Sequence, residues 1–338
     1  MSGTDWLPHV AVSHYSEASS DYGPPAPSVN AIGGEAQITA DAVQFGFSVF
    51  EGMRVYAAEG RYLVFRARDH HERLVRSCCA LELPCPGYET FLAAIRLVVE
   101  GNLDASTPCL YVRPLVFATS GGIMAQQGRA CTFAVVSMPF AVHNGDIRVL
   151  VDTRNLRTVP AFSAVKTAAN YASASLITRA AQREGCNTVL WLDGNGLVQE
   201  CTTTNVFFCI RGELCTPGLG GILPGVTRMT MMELLQDQGE TVLERDIHID
   251  EVVDGVRSGD LSYFFTTSTA MGINRVTHLK HLGSEYEIAD ECPSSVIAAK
   301  ETYGLITREF PRAMATHSVI RERSYVGDAP DGRGGSER

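Results

Sequence analysis

The chain has 338 residues, of which 45% are hydrophobic, so it can build a core for one large domain or two medium ones. Its formal net charge of −10 argues against nucleic-acid binding and against binding to an acidic membrane surface. No apolar run reaches transmembrane length, and the N-terminus lacks a basic start followed by an apolar stretch. A soluble, cytoplasmic protein is therefore expected.

Composition along the chain predicts four parts. Residues 1–30 are rich in Ser, Pro, Ala and Gly and are expected to form a flexible arm, and the polar residues 322–338 are expected to form a disordered tail. The segment PFAVHNGD interrupts two strand-like runs and predicts a boundary there. A small α/β domain is expected at 31–141 and a larger α/β domain at 142–321.

Hydrophobic periodicity predicts a mixed α and β protein. Strands are predicted, in chain order, at Tyr62–Phe65, Cys109–Ala118, Cys131–Met138, Ile147–Asp152, Thr188–Asp193, Val206–Ile210, Thr241–Ile247 and Leu261–Thr267. Helices are predicted at Ala67–Leu81, Tyr88–Glu100, Tyr171–Glu184, Val226–Gln238 and Pro293–Tyr303. The run Asp193-Gly194-Asn195-Gly196 is typical of a hairpin turn.

Ten cysteines and nine histidines raise the question of a metal or disulfide site. No two cysteines form a C-x-x-C pair, and several lie in apolar strand-like runs, as Cys131 and Cys209 do. They are interpreted as small buried hydrophobes. The adjacent His70 and His71 point in different directions on a predicted helix, and no H-E-x-x-H spacing occurs. No metal site is expected.

Lys166 is the residue that points most directly to chemistry. The chain has only three lysines, and Lys166 is the one charged residue between Arg157 and Arg179, among small, mostly apolar neighbours. Desolvation disfavours the ammonium form of a lysine, and a neutral amine is a nucleophile toward carbonyl groups. A surface lysine with its stem on apolar neighbours is the alternative interpretation.

Two loops carry the features of anion-binding sites. The segment ILPGVTR at 222–228 delivers Val226 and Thr227 to the start of a predicted helix, whose backbone N–H groups can hold an anion. The segment TTSTAMG at 266–272 brings four consecutive hydroxyl residues to the end of a predicted strand. An ordinary helix cap and an ordinary polar turn are the alternatives.

Three further polar residues complete the candidate site. Glu200 lies between apolar strand-like runs and is expected to need a cationic partner, and Arg66 ends an apolar strand. Tyr171 follows Lys166 by five residues. A lysine for a Schiff base, two phosphate-type loops, an arginine, an acid for a pyridine nitrogen and a phenol are together the requirements of pyridoxal phosphate.

The order of these segments resembles the class IV aminotransferases, the fold-type IV pyridoxal phosphate enzymes, and above all the branched-chain amino acid aminotransferases. The resemblance runs from about Gln44 to Val276. The segments that carry it are FGFSVFEGMRVY, LVFRARDHHERL, YVRPLVF, SAVKTAANYASA, GLVQECTTTNVF, ILPGVTR and TSTAMGI. It implies a two-domain fold like that of the D-amino acid aminotransferases, a homodimer, and pyridoxal phosphate as cofactor.

The resemblance also implies residue roles. Lys166 would bond the cofactor's aldehyde and move the proton of the substrate's Cα. The cofactor's ring and phosphate would be held by Glu200, Tyr171, Arg66, Val226, Thr227 and Thr269. The substrate carboxylate would meet Tyr111 and the Thr269–Ala270 backbone, the second carboxylate of glutamate would meet Arg113, and Phe50 would line the side-chain pocket.

Several pocket positions depart from the family pattern. Phe45 stands where bacterial branched-chain enzymes usually have Tyr, and Phe140 and His143 lie in a segment where they show Pro-Trp-Gly-x-Tyr. The run CTTT at 201–204 and the loop SGGIMAQQGR also differ. Intact catalytic residues with an altered pocket wall predict an unusual hydrophobic amino acid in a specialised biosynthetic pathway.

The predicted reaction is therefore transamination between a hydrophobic, branched-chain-like L-amino acid and 2-oxoglutarate. The alternative on the same fold is a D-amino acid or amine transaminase, an aminodeoxychorismate lyase or an amino acid epimerase. A binding protein without catalytic activity is a second alternative, which the joint retention of Lys166, Glu200, Tyr171 and both loops disfavours.

Overall fold

The computed structural model describes residues 6–7, 9–16, 20–28, 38–104, 109–122, 130–140, 145–152, 160–310 and 318–329. The chain divides into two compact units. The first comprises Met1–Ala141, Val165–Ala169 and Leu305–Arg338, and the second comprises Val142–Ala164 and Asn170–Gly304. The expected boundary between 141 and 142 lies outside the described residues.

The first unit contains a nine-stranded sheet. Its strands are β1 (Val10–Ser16), β2 (Asp21–Tyr22), β3 (Ala26–Ser28), β4 (Ser48–Phe50), β5 (Met53–Ala58), β6 (Arg61–Val64), β7 (Cys109–Ala118), β8 (Cys131–Pro139) and β18 (Tyr325–Asp328). The strand order is β18-β6-β5-β7-β8-β1-β2, with β3 on β1 and β4 on β7, and every pairing is antiparallel.

The second unit contains another nine-stranded sheet, in the order β11-β10-β9-β16-β15-β12-β13-β14 with β17 on β16. Its strands are β9 (Ile147–Asp152), β10 (Thr188–Leu192), β11 (Val198–Cys201), β12 (Asn205–Ile210), β13 (Glu213–Thr216), β14 (Leu243–Glu244), β15 (Leu261–Ser268), β16 (Gly272–His281) and β17 (Ser284–Glu287). This sheet is mixed, because β9 pairs in parallel with both β10 and β16.

The described residues form nine helices, five of which overlap the predicted ones. They are α1 (Asp41–Gln44), α2 (Ala67–Ala80), α3 (Tyr88–Asn102), α4 (Pro160–Ser163), α5 (Ala168–Arg183), α6 (Val226–Asp237), α7 (Ile249–Ser258), α8 (Ser294–Arg308) and α9 (Ser318–Arg323). In α3, for example, Phe91, Ile95, Val98 and Val99 share one buried face, as a period of 3.6 residues requires. In the described part of the chain, no helix combines the length and the apolar character needed to cross a membrane.

Sheets and helices together confirm the predicted mixed α and β class. The Asp193–Gly196 turn is confirmed as well, because Asp193 Oδ1 accepts hydrogen bonds from the backbone of Asn195 and Leu197 at 2.8 Å each. The predicted strand Thr241–Ile247 was wrong in extent. Only Leu243–Glu244 pair, in parallel with β13, and both side chains are exposed, so burial does not favour a longer strand.

The two chain ends differ from the sequence expectation. Val10–Ser16, expected in a flexible arm, form β1 and bury four consecutive residues against the first unit. Tyr325–Asp328, expected in a disordered tail, form β18, which pairs with β6 and lies at the edge of the sheet. Composition does not reveal either strand, because each is stabilised by backbone pairing with residues distant in the sequence.

A buried ion cluster joins the turn after β4 to α2. Glu51 is fully buried and accepts two hydrogen bonds from Arg73, at 2.8 and 2.6 Å, and lies 2.7 Å from His70 Nδ1. Burial would raise the pKa of Glu51, but the charge of Arg73 and the hydrogen bonds of Arg73 and His70 lower it from 4.5 to about 2. The carboxylate thus stays charged inside the protein.

Removing this carboxylate should destabilise the fold strongly. Glu51→Gln leaves Arg73 buried without its counter-charge, and we expect a loss of ~3–5 kcal/mol in the free energy of unfolding, measured in urea. Glu100→Gln, which removes an exposed pair with Arg96, is the control and should cost less than ~1 kcal/mol.

The same experiment has a defined pH dependence. Because the folded pKa is depressed, the stabilising contribution is complete above pH 4.5 and is lost as the pH falls through about 2. The difference between wild type and Glu51→Gln should therefore shrink over this range. A difference that does not change with pH would show that the carboxylate is not the source of the stability.

Candidate active site

Lys166 lies in the first unit, in contact with an aromatic ring. Its Nζ is 4.7 Å from the centre of the Phe50 ring, and Arg113 Cζ is 4.8 Å from the same centre. Arg113 Nη2 also donates to Tyr111 Oη at 3.2 Å. Lys166 is half-buried. A cation beside the face of a ring is attracted to it, which helps to orient both cationic side chains.

Backbone contacts hold Lys166 beside β4. Its N–H donates to Ser77 Oγ at 3.0 Å, and its carbonyl accepts from the N–H of Phe50 at 3.0 Å. The next residue, Thr167, forms an antiparallel bridge with Val49. Lys166 and Phe50 therefore meet because their two segments pair through the backbone, which no local pattern in the sequence predicts.

Tyr111 and Arg113 share one face of β7, because residues two apart along a strand point to the same side. A Cβ atom on Gly52 would lie 2.2 Å from Tyr111 Oη, so this close approach requires glycine. The Arg113 guanidinium also lies 5.2 Å from the Trp6 ring and 5.4 Å from the Tyr111 ring. Its Nε is buried and has no hydrogen-bond partner within the described ranges, which suits a ligand carboxylate.

The other predicted pocket residues do not all belong to the cluster around Arg113. Phe140 belongs to this cluster, since its ring lies 5.8 Å from that of Tyr111 and 4.8 Å from the Arg54 guanidinium. Phe45 is a 45% exposed side chain at the end of α1. His143 lies outside the described residues.

Arg66 occupies a different part of the first unit, at the N-terminus of α2. It is 2% exposed and adopts the left-handed conformation, with φ of 49° and ψ of 44°. Such a conformation costs a non-glycine residue about 1–3 kcal/mol and persists only where the surroundings impose it. Here Arg66 Nε donates to Asp69 Oδ2 at 2.6 Å, which fixes the plane of the guanidinium.

In the second unit, Glu200 is held by an amide. Its Oε2 accepts from Asn205 Nδ2 at 2.8 Å, and its Oε1 accepts from the N–H of Leu223 at 3.2 Å. Asn205 Nδ2 also donates to the Leu223 carbonyl at 2.9 Å. A Cβ atom on Gly225 would lie 1.9 Å from Asn205 Oδ1, so glycine allows this loop to approach the strand. An amide and a backbone N–H thus orient the Glu200 carboxylate.

The same loop leads into α6. Val226 and Thr227 are buried in its first turn, and no side chain caps the helix at Gly225. The N–H groups of such a terminus have no intrahelical acceptors and can bind an anion. Thr269 and Ala270 are half-buried in the turn between β15 and β16, where Ser268 Oγ accepts from the N–H of Met271 at 2.9 Å. Tyr171 is half-buried in the first turn of α5.

Thr267 independently suggests a missing partner. Its side chain is fully buried, and its Oγ1 has no hydrogen-bond partner among the residues that the structure describes. Thr267 pairs directly with Asn205 across the sheet, so both side chains lie on one face. A buried hydroxyl without a partner is rare. The Thr267 hydroxyl, Glu200 and the uncapped N-terminus of α6 together fit a ligand that has a pyridine nitrogen and a phosphate.

Sequence reasoning missed several residues that support the site. Asn205, a polar residue at the start of an otherwise apolar strand, could have been noticed. Asp69, three residues after Arg66, has the spacing of a helical ion pair. Trp6 had no signal, because its proximity to Arg113 depends on the fold.

Comparison with known proteins yields one family. Residues 48–279 match the family described as amino-transferase class IV. The chain is 35% identical over 266 residues to branched-chain-amino-acid transaminase 1 of Bacillus subtilis, covering 75% of each chain. It is 31% identical over 284 residues to a branched-chain-amino-acid aminotransferase of Mycobacterium tuberculosis, covering 78% of this chain and 77% of that protein.

Solved structures share the fold. The branched-chain aminotransferase of Thermoproteus uzoniensis, determined with norvaline, superposes with a TM-score of 0.78 at 23% identity, covering 95% of this chain and 99% of that one. The Escherichia coli branched-chain amino acid aminotransferase superposes with a TM-score of 0.74 at 23% identity, covering 89% and 95%. The predicted fold type is thereby confirmed.

The amine that bonds the cofactor can be identified chemically. When the protein loaded with pyridoxal phosphate is treated with borohydride, we expect the pyridoxyl label on Lys166, as located by peptide mass spectrometry. Lys166→Ala should lose the label and reduce turnover by at least ~10²-fold, while the unfolding transition persists. Lys300→Ala, whose amine lies 3.3 Å from Tyr263 Oη, is the control and should keep both. A label on Lys280 or Lys300 would contradict the assignment.

Proposed function

We propose that this chain, which belongs to the class IV aminotransferases, transfers an amino group between a hydrophobic, branched-chain-like L-amino acid and 2-oxoglutarate. Membership of this family makes it an aminotransferase whose cofactor is pyridoxal phosphate. Relatives named as branched-chain aminotransferases support the donor class. The observation that carries the proposal is the contact of Lys166 and Arg113 with the same Phe50 ring.

When bound, pyridoxal phosphate supplies an aldehyde for the amine and a ring that withdraws electrons from the substrate's Cα. Lys166 Nζ is the base that takes the Cα proton. Glu200, oriented by Asn205 and the Leu223 N–H, supplies the negative charge that keeps a proton on the pyridine nitrogen. Arg66, Val226, Thr227 and Thr269 would hold the phosphate, and Tyr171 the ring hydroxyl.

The acceptor follows from Arg113. Its half-buried guanidinium is surrounded by the rings of Trp6, Phe50 and Tyr111, and within the described residues it forms no ion pair with a carboxylate. A guanidinium beside apolar rings favours a dicarboxylate, because a substrate carboxylate supplies both the charge and the hydrogen-bond acceptors. 2-Oxoglutarate has the second carboxylate that this position requires.

The donor follows from the wall around the same cluster. Phe50, Phe140 and Trp6 contribute apolar rings that suit a hydrophobic side chain. The sequence also departs from the family pattern at Phe140 and His143. We therefore propose that the donor is larger than leucine or isoleucine and serves a specialised biosynthetic pathway.

We also propose that the protein acts as a homodimer in the cytoplasm. In the sixteen-residue helix α5 only Ala174 and Ala181 are buried, while Leu176 is 67% exposed. An exposed helix rich in alanine and carrying an apolar side chain suits contact with a second copy. The cytoplasm is supported by cysteines that lie in apolar strands rather than at disulfide spacings.

Arg113→Ala should affect the two acceptor classes differently. Losing a charge-assisted contact to a carboxylate costs ~1.5–3 kcal/mol, so we expect 2-oxoglutarate to weaken by about 10- to 100-fold while a hydrophobic monocarboxylic oxo acid changes little. Half-reactions followed by cofactor absorbance measure both. Arg68→Ala is the control, because Arg68 is exposed and its guanidinium lies over the Tyr88 ring rather than beside Phe50 or Tyr111. Equal losses for both acceptors would remove Arg113 from the second-carboxylate site.

A donor panel tests the proposed substrate class. With 2-oxoglutarate as acceptor, we expect detectable turnover of leucine, isoleucine and valine, and higher kcat/KM for larger hydrophobic or functionalised L-amino acids. Differences of a methylene or two are worth about 1–3 kcal/mol in a pocket, so the ranking should be graded. Preference for D-amino acids or for amines would contradict the proposal. Leucine, isoleucine and valine far above all others would mean that the altered wall has no effect on specificity.

A further inference from the structure

The C-terminal segment Ser318–Ala329 lies beyond the part of the chain that matches the aminotransferase family, and it is built into the first unit. β18 extends the sheet by pairing with β6, with Tyr325 opposite Val64 and Asp328 opposite Arg61. The N–H of Ala329 donates to the Gly60 carbonyl at 2.8 Å, which continues the pairing. This docking brings the residues before β18 to the N-terminus of α2.

Asp69 connects this segment to Arg66. One carboxylate oxygen of Asp69 accepts from Arg66 Nε at 2.6 Å, and the other accepts from Arg323 Nε and Nη2 at 2.9 and 2.6 Å. The side chains of Arg66 and Asp69 are 3% and 7% exposed, so water screens their pair little. Arg323 thus fixes Asp69, and Asp69 in turn fixes the Arg66 side chain.

Ser324 contacts Arg66 directly. Its Oγ accepts the backbone N–H of Arg66 at 2.9 Å. That N–H belongs to the residue in the left-handed conformation from which α2 begins, where no helical acceptor is available. The two consecutive residues Arg323 and Ser324 therefore constrain both the side chain and the backbone of Arg66.

The charges in this cluster have a functional consequence. Arg66 and Asp69 alone would cancel, leaving no net charge to attract an anion. Arg323 restores one positive charge, although Glu72, which is 46% exposed, partly offsets it. Burial would raise the pKa of Asp69, but the hydrogen bond of Arg323 and the charge and hydrogen bond of Arg66 lower it, so the carboxylate stays ionised.

We propose that Arg323 and Ser324 are positioning residues that fix Arg66 for the cofactor's phosphate, so that the C-terminal segment controls how tightly the cofactor is retained. This inference rests on the proposed role of Arg66 as a phosphate ligand. Arg323 acts through Asp69, and Ser324 acts through the backbone from which the Arg66 side chain projects.

The test compares two cofactor forms in the full-length protein. Pyridoxal phosphate and pyridoxal differ only in the phosphate, and both can be titrated by absorbance after the bound cofactor has been removed. Arg323→Ala should weaken pyridoxal phosphate by about tenfold, in the range expected for a charge-assisted contact, and leave pyridoxal unchanged. Loss of cofactor from the diluted holoenzyme should accelerate similarly. Arg323→Lys, which keeps the charge, should recover part of the affinity.

Arg321→Ala is the matched control, because Arg321 is exposed on the same short helix. It should leave both affinities unchanged. Should Arg323→Ala fail to fold, Ser324→Ala provides the same comparison with a smaller perturbation. Equal weakening of pyridoxal phosphate and pyridoxal would overturn the proposal, since it would indicate general disturbance of the site.

Arg66→Ala distinguishes the proposed phosphate contact of Arg66 from the proposed positioning role of Arg323. We expect it to weaken pyridoxal phosphate more than Arg323→Ala does. If Arg66→Ala weakens pyridoxal phosphate and Arg323→Ala does not, the positioning role fails while the proposed phosphate contact stands. If Arg66→Ala has no effect on either form, the phosphate role of Arg66 fails, and the positioning role fails with it.

Discussion

A carboxylate enclosed by protein must be paired, and the pairing of Glu51 organises the first unit around it. Arg73 and His70 of α2 hold this carboxylate, which stands between Phe50 and Gly52. The ring of Phe50 contacts Lys166, and Gly52 admits the hydroxyl of Tyr111. The residues on either side of this ion cluster therefore contact Lys166 and Tyr111.

Two other buried carboxylates, those of Asp69 and Glu200, have different kinds of partner. Asp69 lies between two arginines, so one anion is shared by two cations, one of which also pairs with Glu72. Glu200 accepts hydrogen bonds from an amide and from a backbone N–H, which orient its carboxylate.

Glycine and backbone pairing supply the remaining geometry. Gly225 allows the loop before α6 to approach Asn205, and Gly52 allows Tyr111 to lie over the chain. Lys166 reaches Phe50 through backbone hydrogen bonds between segments more than a hundred residues apart.

From the sequence alone, five of the helices and most of the long buried strands were predicted, because apolar side chains at periods of 3.6 and 2 recur within each segment, whereas α7 and β16 were not predicted. The sequence also identified Lys166, Glu200 and the loop before α6, because each violates its local composition or combines turn residues with a helix start. Only the tertiary structure decided that Glu200 pairs with an amide, that Trp6 lies near Arg113, and that a tail expected to be disordered extends a sheet and holds Asp69. Those features depend on contacts between residues distant in sequence, and a local pattern carries no information about which distant group will satisfy a buried charge or an edge strand.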